Sequence, residues 1–206
     1  MSNDRQSHWE AVYSSKGETE VSWFQETPEI SLDLIALAEA RPDAAIIDIG
    51  GGASRLVDAL LARGFRQITV LDLSAAALER ARARLSTAAD GVSWLVADAT
   101  SWQPPQAYDI WHDRAAFHFL TDAAAQQAYL LRLRRGLKPG GYAIFGTFAP
   151  DGPEKCSGLP VARHDSASLG RLLGPAFTLV DSRGHAHHTP WGSVQQFHFS
   201  TFRRVE

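Results

Sequence analysis

One cysteine, Cys156, stands in the 206 residues, so no intramolecular disulfide can form and the chain needs no oxidising compartment. No apolar run approaches the roughly 20 residues of a membrane-spanning helix. The start, MSNDRQSHWE, is polar where a signal peptide would be apolar. An excess of positive charge is also missing: the formal net charge of −3 leaves no footprint for non-specific nucleic-acid binding. Repeats, low-complexity tracts and linkers are absent from the sequence. These absences predict a cytoplasmic protein with neither nucleic acid nor membrane as partner, and they leave the oligomeric state, monomer or homodimer, open. Two arginine clusters, Arg80, Arg82 and Arg84 and then Arg132, Arg134 and Arg135, fall in helical patterns and read as solvated faces, with an anion-binding patch as the alternative.

What is present is an ordinary globular balance, 45% hydrophobic and 21% charged, on a length that suits one α/β domain. From residue 28 onward short apolar runs alternate with helical patterns, the mark of βαβ units. Thr27 reads as an N-cap with Pro28 at the first helical position, and Ile30, Leu34, Ile35 and Leu37 share a face. Strands are predicted at Ala45–Ile49, Ile68–Leu71, Val92–Val96, Tyr108–Trp111, Tyr142–Thr147, Phe177–Asp181 and about Val194–Phe202. Helices are predicted from Ser54 to Gly64, from a Ser74 cap through Leu85, from Asp122 to Gly136 and over Ser166–Leu173, with Lys138-Pro139-Gly140-Gly141 as a tight turn. Residues 1–27 stand apart as a cap segment, and 28–206 as the domain proper.

The turn after the first strand, IIDIGGGAS, places Gly50, Gly51 and Gly52 where ligands bind in open parallel sheets, outside the carboxyl ends of the strands. Asp72 follows Gly50 by 22 residues at the end of ITVLD, placed to accept hydrogen bonds from both hydroxyls of a ribose. These features leave a choice between a dinucleotide and S-adenosylmethionine. The dinucleotide fingerprint needs a third glycine at position 55, where this chain has Arg55. Asp48, two residues before Gly50, would repel a pyrophosphate but suits a sulfonium and an ammonium. The residues favour the methyl donor.

IIDIGGGAS, VLDLS and LVADAT, followed by YDIWHDRAAFHFL and LKPGGYAIF, resemble in order the motifs of class I S-adenosylmethionine-dependent methyltransferases, from about Asp43 to the C-terminus. The resemblance implies a Rossmann-like α/β fold: a mostly parallel seven-stranded sheet flanked by helices, its last strand antiparallel and inserted between the fifth and sixth. It implies Asp72 on the ribose, Asp98 on the adenine amino group, Leu73 and Ala99 lining the adenine, and YDIWHDRAAFHFL facing the transferable methyl. The N-terminal HWEAVYSSKGETEVSWFQ is similar to the opening of a bacterial small-methyltransferase subgroup and, more loosely, of lysine methyltransferases acting on elongation factors. Trp9, Tyr13, Trp23 and Phe24 are read as a lid that excludes water and stacks on the sulfonium, against a helix merely pinned to the domain edge.

Methyl transfer is an in-line displacement that needs positioning, with a base only if the acceptor arrives protonated. His112, Asp113 and His118 follow the fourth strand and are the expected catalytic groups. Asp113 is read as the acid at the mouth of the site, binding an acceptor amine or orienting His112, with Arg114 as a competing ion-pair partner. The long loop FAPDGPEKCSGLPVARHD and the cluster HAHHTPWGS are expected to shape the acceptor pocket. No metal is expected, because Cys156, His164, His185, His187 and His188 fit no standard zinc spacing. The expected activity is methylation of a small molecule at N, O, S or a heavier chalcogen. A protein lysine methyltransferase and a non-catalytic S-adenosylmethionine-binding module are the alternatives, and a nicotinamide-dependent oxidoreductase is a distant one.

Overall fold

The structure, a computed structural model, describes residues 2–205; Met1 and Glu206, the ends of the two expected segments, lie outside the described residues. In chain order the elements are α1 (Ser2–Ser15), α2 (Glu29–Leu37), β1 (Ala45–Ile49), α3 (Leu56–Ala62), β2 (Gln67–Asp72), α4 (Ala75–Leu85), β3 (Val92–Val96) and β4 (Tyr108–Arg114). Then come α5 (Ala123–Gly136), β5 (Leu137–Phe148), a small hairpin of β6 (Lys155–Cys156) and β7 (Leu159–Pro160), α6 (Ser166–Leu173), β8 (Phe177–His188) and β9 (Val194–Arg204).

Seven strands form one sheet in the order β3-β2-β1-β4-β5-β9-β8. Neighbours are parallel up to β5, and β9 runs antiparallel to both β5 and β8. This is the expected topology, with the last strand inserted. All of β1 is buried, because helices cover both faces and an unbroken apolar run is what such a strand needs. On one face Ile46, Val70, Ile110 and Ile144 pack with Leu34, Leu56 and Leu60; on the other Ile47, Trp111 and Phe145 pack with Tyr129, Leu133 and Leu169. Ser74 and Asp122 cap α4 and α5, accepting from Ala77 and Ala125 backbone N–H at 3.1 and 2.8 Å.

Four boundaries differ from the sequence reading. Pro28 is itself the N-cap of α2, without a side-chain cap bond. Leu37, read as inward, is 44% exposed at the end of that helix. β4 runs on to Arg114, and β5 begins at Leu137, with a register shift where a turn was expected. β8 continues to His188 because its second half alternates polar residues inward and outward, which gives no apolar signature. Among the described residues no helix is long and apolar enough to cross a membrane.

Candidate active site

The carboxyl ends of β1, β2 and β4 open on a cleft lined by Gly50, Asp72, Asp98 and Arg114, a concave and mostly apolar place of the kind that takes small molecules. Gly50 has φ +67°, donates its N–H to Leu71 O at 2.7 Å, and would bring an added Cβ within 2.5 Å of the Ala116 Cβ. Gly52, at φ +45°, has no room either: a Cβ there would stand 2.9 Å from Asp72 Oδ2 and 3.0 Å from the Tyr13 hydroxyl. The turn is thus folded tightly enough to bring backbone against ligand.

Asp72, at the end of β2, is buried and accepts from Ser74 N–H at 2.8 Å. Burial pushes its pKa up to about 7, with Asp48 and Glu10 adding repulsion and the Ser74 and Leu73 amides pulling back. Asp98 Oδ1 accepts from the Thr100 N–H and hydroxyl at 2.8 and 2.7 Å, and its Oδ2 lies 3.6 Å from Arg5. Leu73, Ala97 and Ala99 complete that wall.

A second, smaller cavity adjoins the first and shares Tyr13, Trp23, Gly50 and Arg114 with it. Asp48, Ser31 and His112 line it. Asp48 Oδ1 is 2.7 Å from His112 Nδ1, and His112 Nε2 is 2.9 Å from the Ser31 hydroxyl. The carboxylate accepts from Nδ1, so the ring is held from both sides and aims Asp48. A Cβ at Gly51 would meet Asp48 Oδ2 at 2.6 Å, which is why that position is glycine.

The N-terminal segment closes the top. Trp9 meets Trp23 and Phe119 edge-to-face at 5.6 and 5.0 Å, and Trp23 Nε1 donates to the Tyr13 hydroxyl at 3.2 Å. Ionic and capping contacts hold the segment down. Glu10 accepts from Ala76 N–H at the start of α4, at 3.2 Å. Glu18 bridges Arg55 and Arg84 at 3.0 and 2.9 Å, Glu26 pairs with Arg55, and Arg80 donates to Lys16 O. Arg80 and Arg84 therefore fasten this segment and do not form a solvated face. Arg132 and Arg134 likewise donate to Trp102 O and Leu173 O, at 3.3 and 2.9 Å. Arg55 points into the clamp and away from the glycine turn.

Residues 46–141 match the family model described as a methyltransferase domain. The chain is 27% identical to Nodulation protein S of Rhizobium tropici over 124 residues, 60% of this chain and 51% of the relative. It is 32% identical to a trans-aconitate 2-methyltransferase of Methylobacterium radiotolerans over 161 residues, 70% of this chain and 58% of that one. The chain spans about half the length of the nodulation proteins it matches. The fold superposes on the N-methyltransferase NodS of Bradyrhizobium japonicum, solved with S-adenosyl-L-homocysteine, at a TM-score of 0.72, 18% identity and coverage of 100% and 99% of the two chains.

The chain carries a methyltransferase domain on a class I fold.

Within this fold the structure rearranges the groups expected to do chemistry. Because β4 extends to Arg114, His112 and Asp113 face opposite sides of the sheet. Asp113 is not at the mouth and does not orient His112. Its carboxylate is fully buried, accepts from the Phe117 and Ala116 amides at 3.0 and 3.1 Å and from the Tyr129 hydroxyl at 2.6 Å, and holds the turn after β4. Burial raises its pKa to about 6. Arg114 forms no ion pair with it, since alternation puts the guanidinium on the other face. His118 does not reach the cavity either: its ring lies among Phe119 and Phe148, at 4.4 and 4.9 Å, and burial lowers its pKa to about 3.

The sequence reading missed two residues that line the cavity, Arg5 from α1 and Tyr129 from α5, whereas Phe119 and Leu120 lie in the stretch expected to face the methyl and Cys156, in β6, lies in the expected long loop. Ala115, another lining residue, has φ +64°, a left-handed backbone unusual for alanine. The long loop thus reaches the site through Cys156. The histidines do not converge: His187 Nε2 donates to Ser22 O at 2.6 Å, and the His164 ring lies tilted against Phe117 at 5.5 Å. Among the described residues no three His, Cys, Asp or Glu side chains form a metal-binding group.

Proposed function

We propose that the protein transfers the methyl group of S-adenosylmethionine to a small-molecule acceptor in the larger cavity. The carrying observation is the buried Asp72 carboxylate beside the Gly50–Gly52 turn, a place that suits a vicinal diol and not a pyrophosphate. Asp72 takes the ribose hydroxyls, Asp98 with Leu73 and Ala99 takes the adenine, and Asp48, aimed by His112 and Ser31, faces the cationic end of the donor. Trp9, Tyr13 and Trp23 close over it, exclude water and present aromatic faces to the sulfonium. The acceptor lone pair bonds to the methyl carbon while the carbon–sulfur pair stays on sulfur. With Asp113 and His118 turned inward, catalysis rests on positioning and desolvation.

The trans-aconitate 2-methyltransferase, by its name, acts on a small molecule, and the aromatic-lined cavity supports the same acceptor size here. The test is ligand-induced stabilisation. S-adenosylhomocysteine at a hundred times its Kd adds about 2.7 kcal/mol, and NAD adds nothing. Asp72→Ala weakens donor binding by roughly 1–3 kcal/mol. A melting temperature raised by NAD and indifferent to the methyl donor overturns the reading.

A further inference from the structure

Arg114 ends β4 on the wall shared by both cavities, and two of its three nitrogens are unmatched. Nη1 donates to Trp23 O at 2.9 Å, while Nε and Nη2 are buried with no partner among the described residues. The guanidinium carbon lies 5.1 Å from the centre of the Phe197 ring. A buried cation is costly unless an anion meets it, and among the described residues its surroundings supply no free one. Cys156 is a neutral thiol, its pKa pushed up to about 11 by burial, and His118 and His187 are neutral, at about 3 and 4. Asp48 is committed to His112, and the Tyr13 phenol is pushed above its ordinary value by burial. Arg114 itself is brought down only to about 10, so it is charged at neutral pH.

The unpaired edge of the guanidinium, Nε with Nη2, is the fork that grips a carboxylate through two parallel hydrogen bonds. Its direction is informative. Phe197 belongs to β9, Cys156 to the hairpin after β5, and His187 to β8, all beyond β4 on the side away from Asp72 and Asp98. We propose that Arg114 binds a carboxylate on the methyl acceptor, so that the substrates are small carboxylic acids. This rests on the methyltransferase reading above, and it assigns the anion to the acceptor and not to the amino-acid end of the donor.

The experiment titrates benzoate and its uncharged match, benzamide, into the full chain loaded with S-adenosylhomocysteine, with calorimetry as the readout. Benzoate is expected to bind at least tenfold tighter than benzamide. Arg114→Gln is expected to erase that preference while leaving S-adenosylhomocysteine affinity within twofold. Should Arg114→Gln fail to fold, Arg114→Lys keeps the charge without the fork, and most of the preference is still lost. Equal binding of the two probes, or no binding of benzoate, overturns the proposal. So does a variant that loses S-adenosylhomocysteine tenfold and keeps benzoate, which assigns the fork to the donor carboxylate. Failure of S-adenosylhomocysteine to bind the unaltered protein is a separate result and defeats the methyltransferase reading itself.

Discussion

Asp72 carries two demands that pull against each other. It must stay ionised to accept from two hydroxyls, and burial beside Asp48 and Glu10 favours the protonated form, lifting its pKa to about 7 in the open site. Donor binding is therefore expected to be pH-dependent. The carboxylate is the accepting form, so affinity is full above about pH 7 and falls as pH drops through that value, by up to tenfold per unit. Measuring the Kd of S-adenosylhomocysteine from pH 5.5 to 8.5 checks this, and Asp72→Asn is expected to bind more weakly with a flat profile. A wild-type profile as flat as the variant's defeats the assignment. At this scale the residues expected to bind the donor do line one cavity, while those expected to meet the acceptor are scattered. Asp72 and the glycines announce themselves by spacing within one βαβ unit. Asp48 meets His112 only because β1 and β4 are neighbours, and that adjacency across 64 residues is written in no local pattern.

Among the elements, α1 and the stretch after it depend on few contacts that matter. Glu18 reaches Arg55 and Arg84 together, joining the N-terminal segment to the start of α3 and the last turn of α4. Each half-exposed pair contributes about 0–1 kcal/mol, so Glu18→Gln is expected to loosen the segment without unfolding the domain. Donor affinity should fall by about 1 kcal/mol, hydrogen exchange in α1 should quicken, and salt should shrink the difference between variant and parent. Trp23→Ala acts in the same direction and more strongly, because it also removes the donor to Tyr13 and the edge contact with Trp9. Unchanged affinity in both shows that the segment is packing alone. The aromatics here were visible in the sequence, but the clamp was not, since its arginines looked like an exposed helix face. β4 shows the opposite failure: the polar residues His112, Asp113 and Arg114 resembled a loop, although strand alternation through Arg114 would have separated them.

For the whole molecule, buried histidines set the response to acid. His118 is held near pKa 3 by burial, with Arg114 and His164 adding repulsion, against an ordinary value of 6.5. A depressed pKa means that its stabilising effect is full above about 6.5 and is lost progressively as pH falls towards 3. Asp72 and Asp113, with raised values, act with the opposite sign, so the comparison must be between variants. His118→Phe is expected to flatten the loss between pH 6.5 and 4 by about 2–3 kcal/mol, measured by urea unfolding at each pH. Parallel curves for the two proteins show that His118 is not the group responsible.

The place of β9 has a consequence for how the protein is made. Its residues Val194–Arg204 lie between β5 and β8, and Tyr142 pairs with Arg203 across 61 positions of chain. While the ribosome is still adding residues before Val194, β5 exposes an unpaired, largely buried-to-be edge carrying Ile144, Phe145 and Phe148. Sheet closure must wait until Arg204 has emerged. The nascent chain therefore carries a sticky, half-built sheet for the whole interval, which is the state that chaperones shield and that aggregation exploits.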